Sequence, residues 1–151
     1  MALSSAVKDQ IGQWYKALQQ QIPDFISRAP QRQMIAEVAK TLAGDYPRHL
    51  AIEAPTGVGK SFAYLLPAIH YAKTQVCPVV VSTETINLQE QLIEKDIPFL
   101  REVTGIDFKA ALAKGRSNYL CQRRLHMASA EHQDQLLPMA SLALDLERLG
   151  N

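Results

Sequence analysis

Residues 52–61, which read IEAPTGVGKS, combine glycines, a lysine and a hydroxyl group at a spacing suited to holding phosphate. Gly57 and Gly59 let the backbone turn its amide N–H groups towards an anion, because positive φ and close approach cost little without a Cβ. Lys60 is then placed to reach the β- and γ-phosphates of a nucleotide, and Ser61 offers a hydroxyl to Mg²⁺. The pattern therefore predicts a phosphate-binding loop for a nucleoside triphosphate and Mg²⁺.

The elements on either side of the loop must bring those amide groups together. An apolar run at residues 49–54 precedes the loop and a helix-like stretch at residues 62–72 follows it, which predicts the order strand, loop, helix. The helix N-terminus would add about half an elementary positive charge at the phosphates. Ala54 stands where the pattern GxxxxGK has its first glycine. The alternative is a structural glycine turn without a ligand. The match of the other residues of the loop to the pattern disfavours that alternative.

The composition is that of an ordinary soluble globular protein. The chain has 151 residues, 47% hydrophobic and 21% charged, enough for one domain or for one domain and part of another. With 16 basic and 15 acidic residues, the net charge does not indicate a nucleic-acid partner, so any such surface must be local. Cys77 and Cys121 lie far apart, which disfavours a disulfide framework and a self-contained zinc site. Because we find neither a long apolar run nor a signal peptide, we expect a cytoplasmic protein.

A helix is predicted at the start of the chain. Apolar residues spaced by three and four over residues 3–22 form one helical stripe, which Pro23 ends. Trp14 and Tyr15 lie in this stripe. They suit either stacking on nucleic acid or docking onto the domain, and docking is the simpler interpretation.

A second helix is predicted from Pro30 to Gly44, since proline is tolerated in a first helical turn and glycine follows many last turns. Arg28 and Gln31 lie at its start. A glutamine side chain carries an acceptor and donors, so Gln31 can pair with the N6 and N7 edge of adenine. The pattern RxxQ is a weak signal by itself, and its place just upstream of a phosphate-binding loop strengthens it.

Three β-strands are predicted, at residues 49–54, 79–81 and 108–113. The second is a β-branched run between turn residues, as expected of a parallel strand buried on both faces. Together with the helix after the loop and a helix that ends before Pro98, this order predicts a right-handed βαβ unit and hence an α/β fold with a parallel sheet. Ligands of such sheets collect at the carboxyl ends of the strands, where the loop and the hydroxyl cluster at residues 82–85 both lie.

Residues 108–130 contain no acidic side chain and form a local basic segment. Its cations can hold backbone phosphates and the ring of Tyr119 can stack on a base, so the segment suits single-stranded nucleic acid, with a solvated surface as the alternative. Residues 132–149 predict a helix with apolar residues on nearly all sides, and we expect another part of a larger protein to cover it. The basic residues of the segment are Lys109, Lys114, Arg116, Arg123 and Arg124.

Four blocks of the sequence, RAPQRQMI, IEAPTGVGKSFAYLLP, VVVSTETINLQEQL and KGRSNYLCQRR, resemble in order and spacing the start of the DinG-type superfamily 2 DNA helicases, bacterial relatives of XPD. The resemblance extends from the first residue to about residue 124. It implies an accessory helix at residues 1–24 and a P-loop RecA-like parallel sheet, an incomplete first helicase lobe, at residues 25–113. Residues 114–151 would begin the helical iron–sulfur or arch insertion.

The resemblance also implies roles for individual residues. The first block is similar to the Q motif, in which Gln31 recognises adenine with assistance from Arg28. The third is similar to a motif that touches the single-stranded DNA backbone, which gives that role to Ser82, Thr83 and Gln89. The implied ATP-binding residues are Arg28, Gln31, Thr56, Gly57, Val58, Gly59, Lys60 and Ser61, of which Lys60 and Ser61 also act in catalysis. The DNA-binding set adds Lys114, Arg116 and Tyr119.

Cys121 corresponds to the first of four cysteine ligands of a 4Fe-4S cluster in this family. A cluster generally takes four thiolates, and the chain offers one in the matching place. Either the others lie beyond residue 151, or this branch has lost the cluster, as in the CRISPR-associated DinG proteins of type IV systems. The four scattered histidines do not supply a metal-ligand spacing.

For the parent protein, the resemblance implies ATP-dependent unwinding of DNA in the 5′ to 3′ direction. Hydrolysis in this superfamily needs a carboxylate pair after a strand and arginines from a second RecA-like lobe. Neither set follows in this sequence, so we expect an amino-terminal piece with little or no turnover of ATP. The implied partners are single-stranded DNA, the second lobe and, in the CRISPR branch, an effector complex. DNA repair, R-loop removal and CRISPR interference all remain open. The alternatives are a noncatalytic nucleotide- or DNA-binding module and a nucleotide-dependent kinase or switch.

Overall fold

Helices make up the regular secondary structure of residues 3–45 and 49–132, the part of the chain that the computed structural model describes. No helix in that part is long and apolar enough to cross a membrane. The elements are α1 (Ser5–Gln21), α2 (Ala29–Ala43), α3 (Lys60–Gln75), α4 (Ile86–Gln91), a π-helical turn (Leu92–Asp96), α5 (Ile97–Thr104), a 3-10 turn (Arg116–Asn118) and α6 (Gln122–His132).

The first helix forms where its apolar stripe predicts it. Ser4 caps α1, since its side-chain oxygen accepts a hydrogen bond from the Val7 amide at 3.4 Å. Trp14 and Tyr15 are buried, with 7% and 8% of their surfaces exposed, and Leu18 is completely buried. The interpretation of Trp14 and Tyr15 as docking residues is therefore confirmed.

The core is built around α3, whose residues Ala63 and Leu65 to Ile69 are buried. Helix α2 packs along α3, and α1 contacts both α3 and α5. Leu18, Leu66 and Leu100, from three different helices, are each 0% exposed and meet in one apolar cluster. Because α3 starts at Lys60, this packing fixes the position of the residues just after the predicted phosphate-binding loop.

The predicted parallel sheet is wrong for the described residues, which contain no β-strand. The segments at 49–54, 79–81 and 108–113 have no regular structure, and no backbone hydrogen bond of the described part pairs them with one another. A strand exists only through the ladder it makes with a neighbour, so apolar and β-branched composition alone does not make one.

The large apolar side chains of the first two segments, residues 49–54 and 79–81, remain exposed. Val80 is 87% exposed, and Leu50 and Ile52 are 39% and 38% exposed. A cleft of about 330 Å³ separates the segment ahead of the loop from α2 and is lined by both. The run at residues 79–81 therefore does not have the two-sided burial that its composition indicates.

The chain divides into two compact units, residues 1–112 and 113–151, and the structure describes the second as far as residue 132. In the second unit, the 3-10 turn is closed by the amide of Asn118, which donates to the carbonyl of Gly115 at 2.8 Å, and α6 follows. Of the helix predicted at residues 132–149, only His132, the last residue of α6, lies within the described part. The three-domain division drawn from the sequence stays a prediction.

Asp96, in the π-helical turn, is a carboxyl group in an otherwise apolar layer. It is 8% exposed, and its Oδ2 atom is buried without a hydrogen-bond partner in the structure. Burial raises the pKa of the Asp96 carboxyl, while the Gln91 and Ser61 side chains and the charge of Lys95 act in the opposite direction. The ionised form is thus disfavoured in the folded chain.

We expect Leu66→Ala to lower the free energy of unfolding by about 2–5 kcal/mol, because it leaves a cavity at a completely buried position. Val80→Ala, at an exposed position, should change it by less than about 0.5 kcal/mol. Urea denaturation followed by circular dichroism measures both. A cost for Val80→Ala equal to that of Leu66→Ala would contradict the exposed position of this segment.

Asp96→Asn should stabilise the chain increasingly as the pH rises. Since the folded pKa of Asp96 lies above the unfolded value of about 3.9, the folded chain binds more protons, and wild-type stability falls as the pH rises through the folded pKa. The variant has no carboxyl group at residue 96. Its gain in free energy of unfolding over wild type therefore grows as the pH rises from the unfolded to the folded pKa of Asp96, and it persists at neutral pH. Urea midpoints from acid to neutral pH test this, with Glu94→Gln in the same turn as the control. A variant that is less stable than wild type at neutral pH would show that the ionised carboxylate has a favourable partner.

Candidate nucleotide-binding site

The loop at residues 55–59 is a tight turn that depends on its glycines. Gly57 and Gly59 have φ of +76° and +83°, in the left-handed region, where side chains with a Cβ are strained. Val58 between them is 7% exposed and anchors the loop to the unit. Thr56 begins the turn and is exposed. The backbone therefore has the conformation that the sequence pattern predicts for a phosphate cradle.

The N-terminus of α3 opens at this loop. Gly59 is the N-cap residue and offers no side chain to cap the helix, so the first amide groups of α3 have no side-chain partner there. The carbonyl of Gly59 accepts the first helical hydrogen bond, from the Ala63 amide at 3.2 Å. Because α3 is 16 residues long, its dipole places partial positive charge at Lys60 and Ser61.

Lys60 is folded back over the loop that precedes it. Its Nζ donates to the carbonyl of Ala54 at 2.8 Å and to that of Pro55 at 3.2 Å, and the residue is exposed. These acceptors are neutral. A phosphate oxygen would make a stronger, charge-assisted hydrogen bond with the same ammonium group, so the Lys60 side chain is available for exchange.

Ser61 is half-buried, and Tyr64 and Asp96 lie beside its hydroxyl. Burial raises the pKa of the Tyr64 phenol, an effect that the Ser61 hydrogen bond opposes and the Asp96 charge reinforces. The Ser61 hydroxyl at the start of α3 is an oxygen ligand of the kind that Mg²⁺ prefers. The residues of the loop and of the first turn of α3 thus fit both a triphosphate and its metal ion.

Arg28 and Gln31 contact the loop from the start of α2. Nη1 of Arg28 donates to the carbonyl of Gly57, and Nε2 of Gln31 donates to the carbonyl of Gly59 at 3.1 Å. Arg28 is exposed, whereas Gln31 is 2% exposed. The structure therefore places both residues against the glycine carbonyls, and the adenine contact stays a prediction.

The hydroxyl cluster predicted to touch DNA lies between the exposed run at residues 79–81 and α4. Ser82 is exposed, and the hydroxyl of Thr83, which is half-buried, donates to the carbonyl of Thr85 at 3.2 Å. Thr85 caps α4 by accepting from the Leu88 amide at 3.3 Å. Gln89 is half-buried, with a buried Oε1 atom that lacks a hydrogen-bond partner in the structure. Ser82 is thus the most accessible member of the predicted set.

In the second unit, three of the predicted DNA-binding residues share one short turn. The Lys114 amide donates to the hydroxyl of Tyr119 at 2.9 Å, which closes the turn around exposed Arg116. Tyr119 is 54% exposed, so one part of its ring is accessible for stacking. The structure therefore brings Lys114, Arg116 and Tyr119 together.

The residues of this chain do not complete an iron–sulfur cluster. Cys121 is exposed, and the second cysteine of the chain, Cys77, belongs to the other unit. Among the described residues, no group of three or more histidine, cysteine, aspartate or glutamate side chains could hold a metal ion. Because a cluster takes four thiolates, Cys121 alone does not support one here.

Sequence reasoning missed two contacts of the site. Tyr15 donates to Oε1 of Gln31 at 2.9 Å, which links α1 to the loop through α2. A tyrosine within an apolar helical stripe is a signal that could have indicated this, because a buried phenol usually finds a hydrogen-bond partner. The proximity of Asp96 to Ser61 had no comparable signal, since 35 residues separate them in the sequence.

Comparison with known proteins identifies the family of the chain. The sequence pattern of the DEAD/DEAH box helicases matches residues 28–137. The chain is 57% identical over 136 residues to the ATP-dependent DNA helicase DinG of Escherichia coli K12, covering 89% of this chain and 19% of that protein. For DinG of Salmonella typhimurium the identity is 56% with the same coverage, and for DinG of Photobacterium profundum it is 44%, covering 88% and 20%. The chain thus spans about a fifth of the length of these relatives. It belongs to the DEAD/DEAH box helicase family and is of the DinG type.

Proposed function

We propose that this chain is the part of a cytoplasmic DinG-type helicase that binds ATP, Mg²⁺ and single-stranded DNA, in a protein that unwinds DNA in the 5′ to 3′ direction. The observation that carries the proposal is the left-handed loop at Gly57 and Gly59, which leads directly into Lys60 at the start of α3. The identity to proteins named ATP-dependent DNA helicases supports ATP as the nucleotide and DNA as the substrate.

Nucleotide binding would use the loop as follows. The amides of residues 56–59 and of the first turn of α3 donate to phosphate oxygens, and Lys60 exchanges its two neutral carbonyl acceptors for the β- and γ-phosphates. Ser61 ligates Mg²⁺, which when bound neutralises phosphate charge and polarises the terminal phosphoryl group. Arg28 is exposed beside the loop, and the N–H groups that do not bind the Gly57 carbonyl would donate to the nucleotide.

Recognition of adenine by Gln31 is a separate part of the proposal. One N–H of its amide and one lone pair of its oxygen are used by Gly59 and Tyr15, which leaves a second donor and a second acceptor for the N6 and N7 edge. Since only 2% of Gln31 is exposed, the base would have to displace part of the side chains that cover it.

Single-stranded DNA would contact two sets of residues, one in each unit. Arg116 and Lys114 supply cations for phosphates and Tyr119 supplies a ring for a base. Ser82, Thr83 and Gln89 supply hydroxyl and amide groups for the sugar–phosphate backbone. The carboxylates and arginines that complete hydrolysis would come from other parts of a full-length protein, including a second helicase lobe.

Lys60→Ala should weaken the binding of Mg·ATP by about 10- to 100-fold, because hydrogen bonds to a charged partner contribute about 1.5–3 kcal/mol. Affinity for a short oligothymidylate should be retained. Calorimetric titration measures the first and fluorescence anisotropy the second, with Lys16→Ala, an exposed lysine of α1, as the control. Unchanged Mg·ATP affinity in Lys60→Ala would contradict the nucleotide site, and absence of DNA binding in every form would favour a nucleotide-dependent kinase or switch.

Arg116→Gln should reduce the salt dependence of binding to oligothymidylate. Each phosphate contact on a single strand contributes about 0.7 to the slope of log K against log salt, so the slope should fall by about that amount. Anisotropy titrations over a range of salt concentrations measure it, with Lys8→Gln, at an exposed position of α1, as the matched charge control. An unchanged slope in Arg116→Gln would indicate that the turn at residues 114–119 is ordinary solvated surface.

A further inference from the structure

Tyr15 connects the first helix to the phosphate-binding loop although it lies about 40 residues before it in the sequence. Its hydroxyl is buried where α1 faces the start of α2, 2.9 Å from Oε1 of Gln31 and 3.2 Å from Oγ of Ser27. The ring is held edge-on against Phe25, with 5.9 Å between ring centroids. The position of the hydroxyl is therefore set by packing and does not depend on the loop.

The two ends of the Gln31 amide have different partners that fix its orientation. The carbonyl of Gly59 can only accept, so it requires the NH₂ end of the amide, at 3.1 Å. The oxygen then faces Tyr15, whose hydroxyl donates to it. A turn of the amide by half a revolution would place two acceptors together at Gly59, so the Gly59 carbonyl selects this orientation. The Tyr15 hydroxyl then holds the oxygen end of the amide in place.

The Gln31 amide lies directly against the backbone of Gly59. A Cβ added at Gly59 would lie 2.3 Å from Nε2 of Gln31, so no other residue fits at this position without displacing the amide. Gly59 has φ of +83° and is the N-cap of α3. The direction of its peptide planes therefore determines where the first amides of α3 point.

We propose that Tyr15 is a positioning residue of the nucleotide site. Its hydroxyl anchors the oxygen end of the Gln31 amide, the amide holds the carbonyl of Gly59, and Gly59 sets the direction of the amides that receive the phosphates. The relay Tyr15–Gln31–Gly59 makes α1 part of the site without any contact between α1 and the nucleotide. This inference rests on the proposed function, because it assigns a cause to the shape of the same loop.

Tyr15→Phe removes the hydroxyl and keeps the ring against Phe25. The relay predicts that this variant binds Mg·ATP and Mg·tripolyphosphate more weakly by a similar factor, about fivefold, which is the effect of one hydrogen bond. Tyr71→Phe is the matched control, because Tyr71 lies 11 residues beyond Lys60 on α3, near the opposite end of that helix. Weakened Mg·ATP with unchanged Mg·tripolyphosphate would show that Tyr15 serves the base through Gln31 and would overturn the relay to the loop.

A double-mutant cycle tests whether Tyr15 acts only through Gln31. Gln31→Met keeps the length of the side chain and removes both of its hydrogen bonds. The relay predicts that adding Tyr15→Phe to Gln31→Met weakens the binding of Mg·ATP no further. Additive losses of affinity in the double variant would overturn the relay.

Glycine resonances of the nucleotide-free chain give a readout independent of binding. In a sample labelled with ¹⁵N-glycine, Tyr15→Phe should shift the Gly59 amide signal and leave those of Gly105 and Gly115 in place, and Tyr71→Phe should shift none of them. An unmoved Gly59 signal would overturn the relay. If the wild-type chain binds no Mg·ATP, that result would count against the nucleotide function itself. A Gly59 shift in Tyr15→Phe relative to wild type would still support the coupling of α1 to the loop.

Discussion

The burial of α3 is the constraint on which the rest of the structure depends. Leu66 is completely buried, and its neighbours on both sides along the helix are buried with it, so the helix has little freedom to shift. The same helix begins at Lys60 and carries Ser61 in its first turn. Apolar packing in the middle of α3 therefore fixes the position of polar chemistry at its start, because the neighbours in a close-packed interior tolerate displacement poorly.

The loop in front of α3 is held through its carbonyl groups. Arg28 binds the carbonyl of Gly57, Gln31 binds that of Gly59, and Lys60 spans those of Ala54 and Pro55. When the carbonyls of a tight turn are held on one side, the intervening amides are left for another ligand. This arrangement fixes the shape of the loop without a ligand, and a pre-formed shape lowers the entropic cost of binding for any ligand that fits it.

The glycine turn and the burial of Trp14 and Tyr15 could be predicted from the sequence, whereas the predicted sheet is wrong for the described residues. Glycine spacing, the lysine and the hydroxyl define the loop locally, and the apolar period of α1 correctly indicated that Trp14 and Tyr15 are buried. Strands are different, because each depends on a partner elsewhere in the chain. Residues 79–81 have the composition of a buried strand, yet Val80 is 87% exposed and the segment has no ladder among the described residues. Gln31 shows a related limit, since its chemistry suits adenine and its observed partners are Tyr15 and Gly59.

The central claim is that Lys60 and the glycine loop hold a triphosphate. A crystal structure of the chain with a non-hydrolysable ATP analogue and Mg²⁺ tests it most directly. The account predicts that Nζ of Lys60 leaves the carbonyls of Ala54 and Pro55 and lies within hydrogen-bond distance of the β- and γ-phosphates, with Mg²⁺ at the Ser61 hydroxyl. An analogue bound elsewhere, with Lys60 still on those two carbonyls, would contradict it.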